Sequence, residues 1–130
     1  MTRTEPDQPS RPAADGSGDQ GVLDVLDAAV SAMGGSPRKG QVTMAREVAR
    51  SVADGTHLLV QAGTGTGKSL GYLVPAMVHA VRTGGRVVVS TATLALQRQV
   101  LTKDAPLAAD AVERVTGPRP EVVLLKGWQN

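Results

Sequence analysis

Residues 62–69, Ala62-Gly63-Thr64-Gly65-Thr66-Gly67-Lys68-Ser69, limit what the rest of the chain can be. They follow the apolar run Leu58-Leu59-Val60 and lead into a segment, 67–82, with helical periodicity. Glycines between a strand and a helix let the backbone curl so that successive N–H groups point inward. The new helix adds its unpaired N-terminal N–H groups and the positive end of its dipole. A polyphosphate fits such a cradle. Ala62, Gly63, Thr64, Gly65, Thr66 and Gly67 are expected to form its wall. Lys68 is expected to reach the β and γ phosphates, and the Ser69 hydroxyl to ligate Mg²⁺. The general phosphate-loop pattern has glycine at the position of Ala62, so its strict form is missed by one residue. A glycine-rich turn that happens to carry a lysine is the competing reading, and the strand–loop–helix setting speaks against it.

The segments on either side continue the pattern. Upstream, Val22, Leu23, Leu26, Ala29, Val30 and Met33 fall at helical spacing, with Gly34 and Gly35 as a stop. A second helix is expected over 38–53, with Val42, Ala45, Val48, Ala49 and Val52 on one side. Residues 57–61 then read as a strand. Downstream, Pro75 is a candidate kink in the helix after the loop, and Thr83-Gly84-Gly85 ends that helix. Residues 86–90 are a β-branched strand, 94–103 are helical, another helical piece follows Pro106, and 121–125 make a third strand. Strands alternating with helices predict an α/β fold in which a parallel sheet is flanked by helices.

The chain has 130 residues, which allows one domain and no second core of useful size. Residues 1–20 contain Pro6, Pro9 and Pro12 and set two arginines against Glu5, Asp7, Asp15 and Asp19, with little to bury. They are expected to be a disordered tail, leaving 21–130 as the folded part. The net charge of +2 does not mark a nucleic-acid binder on its own. Cysteine is absent, so disulfides, thiolate metal sites and an iron–sulfur cluster held by this stretch are excluded. With no Phe and with Tyr72 and Trp128 as the only large rings, a stacking platform of several aromatics is excluded too. No apolar run approaches the roughly 18 residues of a membrane span, and the N-terminus lacks an apolar leader core, so a cytoplasmic protein without a membrane partner is expected.

Ala-x-x-Gly-x-Gly-Lys-Ser/Thr, the form at 62–69, resembles the loop of superfamily 2 helicases. Two further segments resemble parts of the same family. Arg38-Lys39-Gly40-Gln41 is similar to its Q motif, which implies that Gln41 reads the adenine edge of ATP. Ser90-Thr91-Ala92-Thr93-Leu94-Ala95-Leu96-Gln97 resembles motif Ia of the DinG-like and XPD-like DNA helicases. A DEAD-box RNA helicase would more usually show Pro-Thr-Arg-Glu-Leu there. The resemblance covers about 22–130 and implies a RecA-like, ATP-driven motor acting on single-stranded DNA or DNA with a single-stranded tail. It implies that Thr91, Thr93 and Gln97 hold DNA phosphates, although either threonine alone reads equally well as a helix cap. Arg98 and Lys103 read as a solvated face, Tyr72 as packing, and His57 and His79 share no metal-ligand spacing.

The chain departs from that family in what it lacks. ATP hydrolysis needs a carboxylate after an apolar strand to help hold Mg²⁺, and a group to orient water. The run 121–125 leads instead into Lys126-Gly127, and there is no Asp-Glu-x-His box. Relatives place cysteine ligands for an iron–sulfur cluster soon after the segment matching 126–130, so a cluster is implied only for a longer parent. The expectation is the N-terminal part of a helicase, with its first motor domain incomplete. Two other classes compete: a different phosphate-loop NTPase such as a small-molecule kinase, and a non-catalytic fragment that binds nucleotide.

Overall fold

Val22, Val25, Leu26, Ala29 and Val30 recur at the three- and four-residue steps of a helix, and all five are buried on one stripe of α1 (Gly16–Ala32). The computed structural model describes residues 16–63 and 67–127. After α1 come α2 (Lys39–Asp54), α3 (Lys68–Thr83), α4 (Leu94–Gln99) and α5 (Ala105–Thr116), with a π-helical turn, Val100–Asp104, joining the last two. The expected helices at 38–53 and 67–82 therefore form within a residue or so of those bounds.

α3 is the centre of the molecule. Leu70, Leu73, Val74, Met77 and Val78 are buried on it, and so are Gly71, Pro75 and Ala76, so it is covered on most sides. α1, α2 and α5 pack against it, and α5 supplies a stripe of Ala105, Ala108, Ala109 and Val112. Pro75 has no N–H for the Gly71 carbonyl, yet α3 continues through it because burial on both flanks offsets the lost bond. Tyr72 lies half-buried against this core, as packing.

α1 begins five residues earlier than the tail expected over 1–20 allows. Asp19 sits in its first turn, where the helix dipole favours an acid, and pairs with Arg50 of α2 at 3.4 Å. Gln20 donates to Asp24 at 2.8 Å one turn on, and Arg82 of α3 donates to the Gly18 carbonyl at 3.4 Å. These local and cross-helix bonds tie 18–20 to the body. Met33, placed with the apolar stripe from its spacing, lies past the end of α1 and is exposed.

The π turn has a local cause. Pro106 cannot donate to the Thr102 carbonyl, and the Thr102 hydroxyl itself donates to the Arg98 carbonyl at 2.7 Å. The turn widens, and the Ala105 N–H reaches back five residues to the Val100 carbonyl. Asp104 is buried there, accepting from Gln99 Nε2 at 3.4 Å. Beyond α5, Arg119 folds back to Asp110 at 2.6 Å and Glu113 at 2.9 Å, and these two carboxylates raise its guanidinium pKa still further.

The parallel sheet expected from 57–61, 86–90 and 121–125 is not formed among the described residues. No strand is present, and no backbone hydrogen bond joins one run to another. A strand is fixed by ladder hydrogen bonds to partners about 4.8 Å away, and the described residues of these runs make none to one another. Each nevertheless keeps a two-residue alternation of exposure: Leu59 is fully exposed at 101%, while its neighbours Leu58 and Val60 are near 41% and 45%. Val88 and Val123 stand out from their neighbours in the same way.

Leu26 and Leu59 should accordingly behave as opposites. Leu26→Ala removes a fully buried side chain and is expected to cost about 2–5 kcal/mol in urea unfolding followed by circular dichroism. Leu59→Ser is expected to stay within about 0.5 kcal/mol of the parent and to raise solubility. Equal destabilisation by the two would contradict this division of core from surface.

Candidate functional site

α3 starts at the last glycine of the loop. Gly67 has φ +71° and ψ 38°, the left-handed conformation that costs an L side chain about 1–2 kcal/mol, so glycine is required at this bend. Lys68 and Ser69 follow as the first two helical residues, Lys68 exposed and Ser69 half-buried. Their backbone N–H groups belong to the first turn, which has no partners of its own within the helix. Ala62 and Gly63 precede the bend, Ala62 half-buried and Gly63 exposed. Thr64, Gly65 and Thr66 lie outside the described residues.

Gln41 meets this loop from α2, 26 residues earlier in the chain. Its Nε2 donates to the Gly67 carbonyl at 3.1 Å, and its Oε1 accepts from the Arg38 N–H at 3.4 Å. Gln41 is 6% exposed, one of two buried polar residues among those described. A β-carbon on residue 67 would coincide with the Gln41 amide nitrogen, a second reason for glycine there. One helical turn on, a β-carbon on Gly71 would lie 2.6 Å from the Met44 sulfur. Gly67 and Gly71 thus present bare backbone to Gln41 and Met44, and α2 sits close against the start of α3. Sequence reading placed Gln41 beside the nucleotide but missed Gly71, whose signal was the Gly-x-x-x-Gly spacing from Gly67.

The segment 91–97 forms a capped helix start. Thr93 is the N-cap of α4, its hydroxyl oxygen accepting from the Leu96 N–H at 3.1 Å, and the Thr91 hydroxyl donates to the Thr93 carbonyl at 3.5 Å. The Gln97 N–H donates to the Thr93 carbonyl at 3.0 Å, and the Gln97 side chain is half-buried. Capping uses the Thr93 oxygen as acceptor and leaves its proton to donate elsewhere. No hydrogen bond among the described residues links this segment to Gln41, Gly67, Lys68 or Ser69.

Two clefts of about 230 and 400 Å³ flank α2 beside residues 56–60, and neither is lined by the described loop residues. The larger is apolar, with Met44, Val48, Val60 and Tyr72 on its walls. A phosphate cradle is a shallow array of N–H groups, so it need not coincide with an apolar cleft. No group of three or more His, Asp or Glu among the described residues converges as a metal site, so among the described loop residues 62, 63 and 67–69 the Ser69 hydroxyl is the side-chain oxygen available to a cation. A hydroxyl in that place fits a cation that takes its other ligands from phosphate and water. No helix among the described residues is long and apolar enough to cross a membrane.

The comparisons with known proteins agree with this arrangement of motifs. A family model described as DEAD/DEAH box helicase matches residues 42–121. The chain is 51% identical over 109 residues to the ATP-dependent helicase DinG of Mycobacterium tuberculosis, covering 84% of this chain and 16% of that protein. It is 41% identical over 97 residues to the ATP-dependent DNA helicase YoaA of Escherichia coli, covering 75% of this chain and 14% of that protein. Over 73 residues it is 45% identical to the 3'-5' exonuclease DinG of Bacillus subtilis, covering 56% of this chain and 8% of that protein. No solved structure matches. The chain thus spans about a sixth or less of the length of these helicase relatives, and the family match covers residues 42–121. On the family match and these identities together, the chain belongs to the DEAD/DEAH box helicases.

Proposed function

We propose that this chain is the ATP-binding part of an ATP-dependent DNA helicase of the DinG-like kind. The observation that carries the reading is the start of α3, where left-handed Gly67 delivers Lys68 and Ser69 to a helix N-terminus of a kind suited to polyphosphate. The loop's N–H groups bind the phosphates of ATP, and Lys68 adds a charge-assisted contact to the β and γ phosphates. The Ser69 hydroxyl would be a ligand for the Mg²⁺ that accompanies ATP, an ion that when bound would supply neutralisation of phosphate charge. A parallel sheet of RecA-like type is part of the proposal: the two-residue alternation at 58–60, 87–89 and 122–125 is the pattern of strands awaiting ladder partners. The absence of cysteine means that no residue here fits an iron–sulfur cluster.

Single-stranded DNA is the proposed nucleic-acid partner. Thr91, Thr93 and Gln97 would meet its phosphates through hydroxyl and amide groups, with no aromatic among them to stack a base. Coupling of ATP turnover to movement on DNA requires groups this chain lacks, namely the metal-holding carboxylate and the water-orienting residue.

Three measurements test this. In calorimetry, Lys68→Ala is expected to weaken ATP binding at least tenfold, from the loss of about 1.5–3 kcal/mol of charge-assisted contact, and unchanged affinity would overturn the phosphate site. In fluorescence anisotropy, a labelled single strand should bind weakly, without sequence preference, and release as salt rises. Tight, salt-resistant binding would exclude a contact made to the backbone alone. Phosphate release by the 130-residue chain with single-stranded DNA should be no faster than in its Lys68→Ala control, whereas turnover near one per second that the control abolishes would mean that the missing groups are supplied elsewhere in the chain.

A further inference from the structure

We infer that Gln41 is a positioning residue for the phosphate loop, aiming the Lys68 N–H into the cradle by holding the carbonyl of Gly67. The inference rests on the reading of 62–69 as a phosphate site and adds a role for Gln41 that is separate from any contact with the base.

The argument starts from peptide geometry. The Gly67 carbonyl and the Lys68 N–H belong to one planar trans peptide unit, so they point in opposite directions. Fixing one fixes the other. Within α3 the Gly67 carbonyl accepts from the Gly71 N–H at 3.3 Å, a long bond, and Gln41 Nε2 is the nearer donor at 3.1 Å. A left-handed glycine is the least constrained residue in the loop, since glycine enters several other backbone regions at little cost. An outside donor on its carbonyl removes that freedom and keeps the Lys68 N–H turned away from α2.

Gln41 is itself held for the task. Its Oε1 is engaged by the Arg38 N–H at the start of α2, so the amide spans two helix starts, with one polar atom on each. Its burial holds the side chain in place, so the donor to Gly67 is fixed rather than mobile. The close seat of Met44 over Gly71 sets the distance between the helices, and Gln41 lies one turn before Met44 on the same side of α2. An amide committed at both ends in this way acts on the loop whether or not a base is present.

Inorganic tripolyphosphate, which has the phosphates and no base, separates this role from adenine reading. Calorimetry with the 130-residue chain should show Gln41→Ala weakening tripolyphosphate and ATP by a similar factor, roughly three- to tenfold. Gln41→Met supplies a finer readout. It keeps the length of the side chain and adds no charge, but offers the Gly67 carbonyl no proton. Its affinity for tripolyphosphate should fall as far as that of Gln41→Ala, with its fold by circular dichroism unchanged. Loss of ATP affinity with tripolyphosphate unchanged, or wild-type tripolyphosphate binding by Gln41→Met, would overturn the inference. Lys68→Ala is the independent control, because equal tripolyphosphate binding by that variant and wild type would mean that the phosphate site itself is wrong. Should Gln41→Ala fail to fold by circular dichroism, Gln41→Met carries the test alone, since it fills the same space without a donor.

Discussion

Two glycines four residues apart on α3 let α2 approach its backbone to side-chain distance, and the geometry of the site follows from that approach. Were residue 71 to carry a β-carbon, Met44 would have to move; were residue 67 to carry one, Gln41 would be displaced from the loop. α2 buries Gln41 and Ala45, while α3, packed by α1, α2 and α5, is enclosed on most sides. α3 does two jobs at once: its length anchors the hydrophobic core, and its first turn presents Lys68 and Ser69. In the proposed phosphate site, the most buried helix would serve as a rigid base for Lys68 and Ser69.

Much of this was legible in residue order alone. The apolar spacing in 22–30, 42–52 and 70–78 is strongly periodic, and a helix covers each, α2 and α3 within about a residue of the expected bounds and α1 starting six residues before Val22. The glycine at 67 and the helix start at Lys68 were legible too, because a glycine-rich stretch before an apolar periodic run marks such a boundary. Other features were hidden for physical reasons. The start of α1 depends on Asp19 and Arg82 meeting other helices, and composition cannot report such contacts. The π turn depends on a threonine hydroxyl and a proline four residues on acting against the same carbonyl ladder, although each alone fits a helix. The double engagement of Gln41 joins segments 26 residues apart, a pairing that local pattern does not contain.

The three apolar runs are the clearest divergence between pattern and structure. Leu58-Leu59-Val60, Val87-Val88-Val89 and Val122-Val123-Leu124-Leu125 are apolar on both sides, as befits strands covered above and below. A helix can satisfy its own backbone, so the helices form here from local bonds and mutual packing. A strand cannot, and its existence waits on neighbours. Among the described residues, secondary structure with internal hydrogen bonds is therefore present, and the part whose bonds lie between segments is not.

The wide turn between α4 and α5 sets an azimuth. Each residue of an α-helix advances about 100° around the axis, so the count of residues between two points decides which way a side chain faces. A π turn amounts to one added residue, and α4 is consequently rotated by about that angle from where an uninterrupted helix would carry it. α5 is pinned by its buried alanine stripe, whereas α4 buries no residue of its own. The compass bearing of Gln97 and Arg98 is therefore set from downstream, by Thr102 and Pro106, rather than by burial of α4's own residues. Deleting a single residue between 100 and 104 would leave α5 in its seat and swing that end of the molecule to face a different direction.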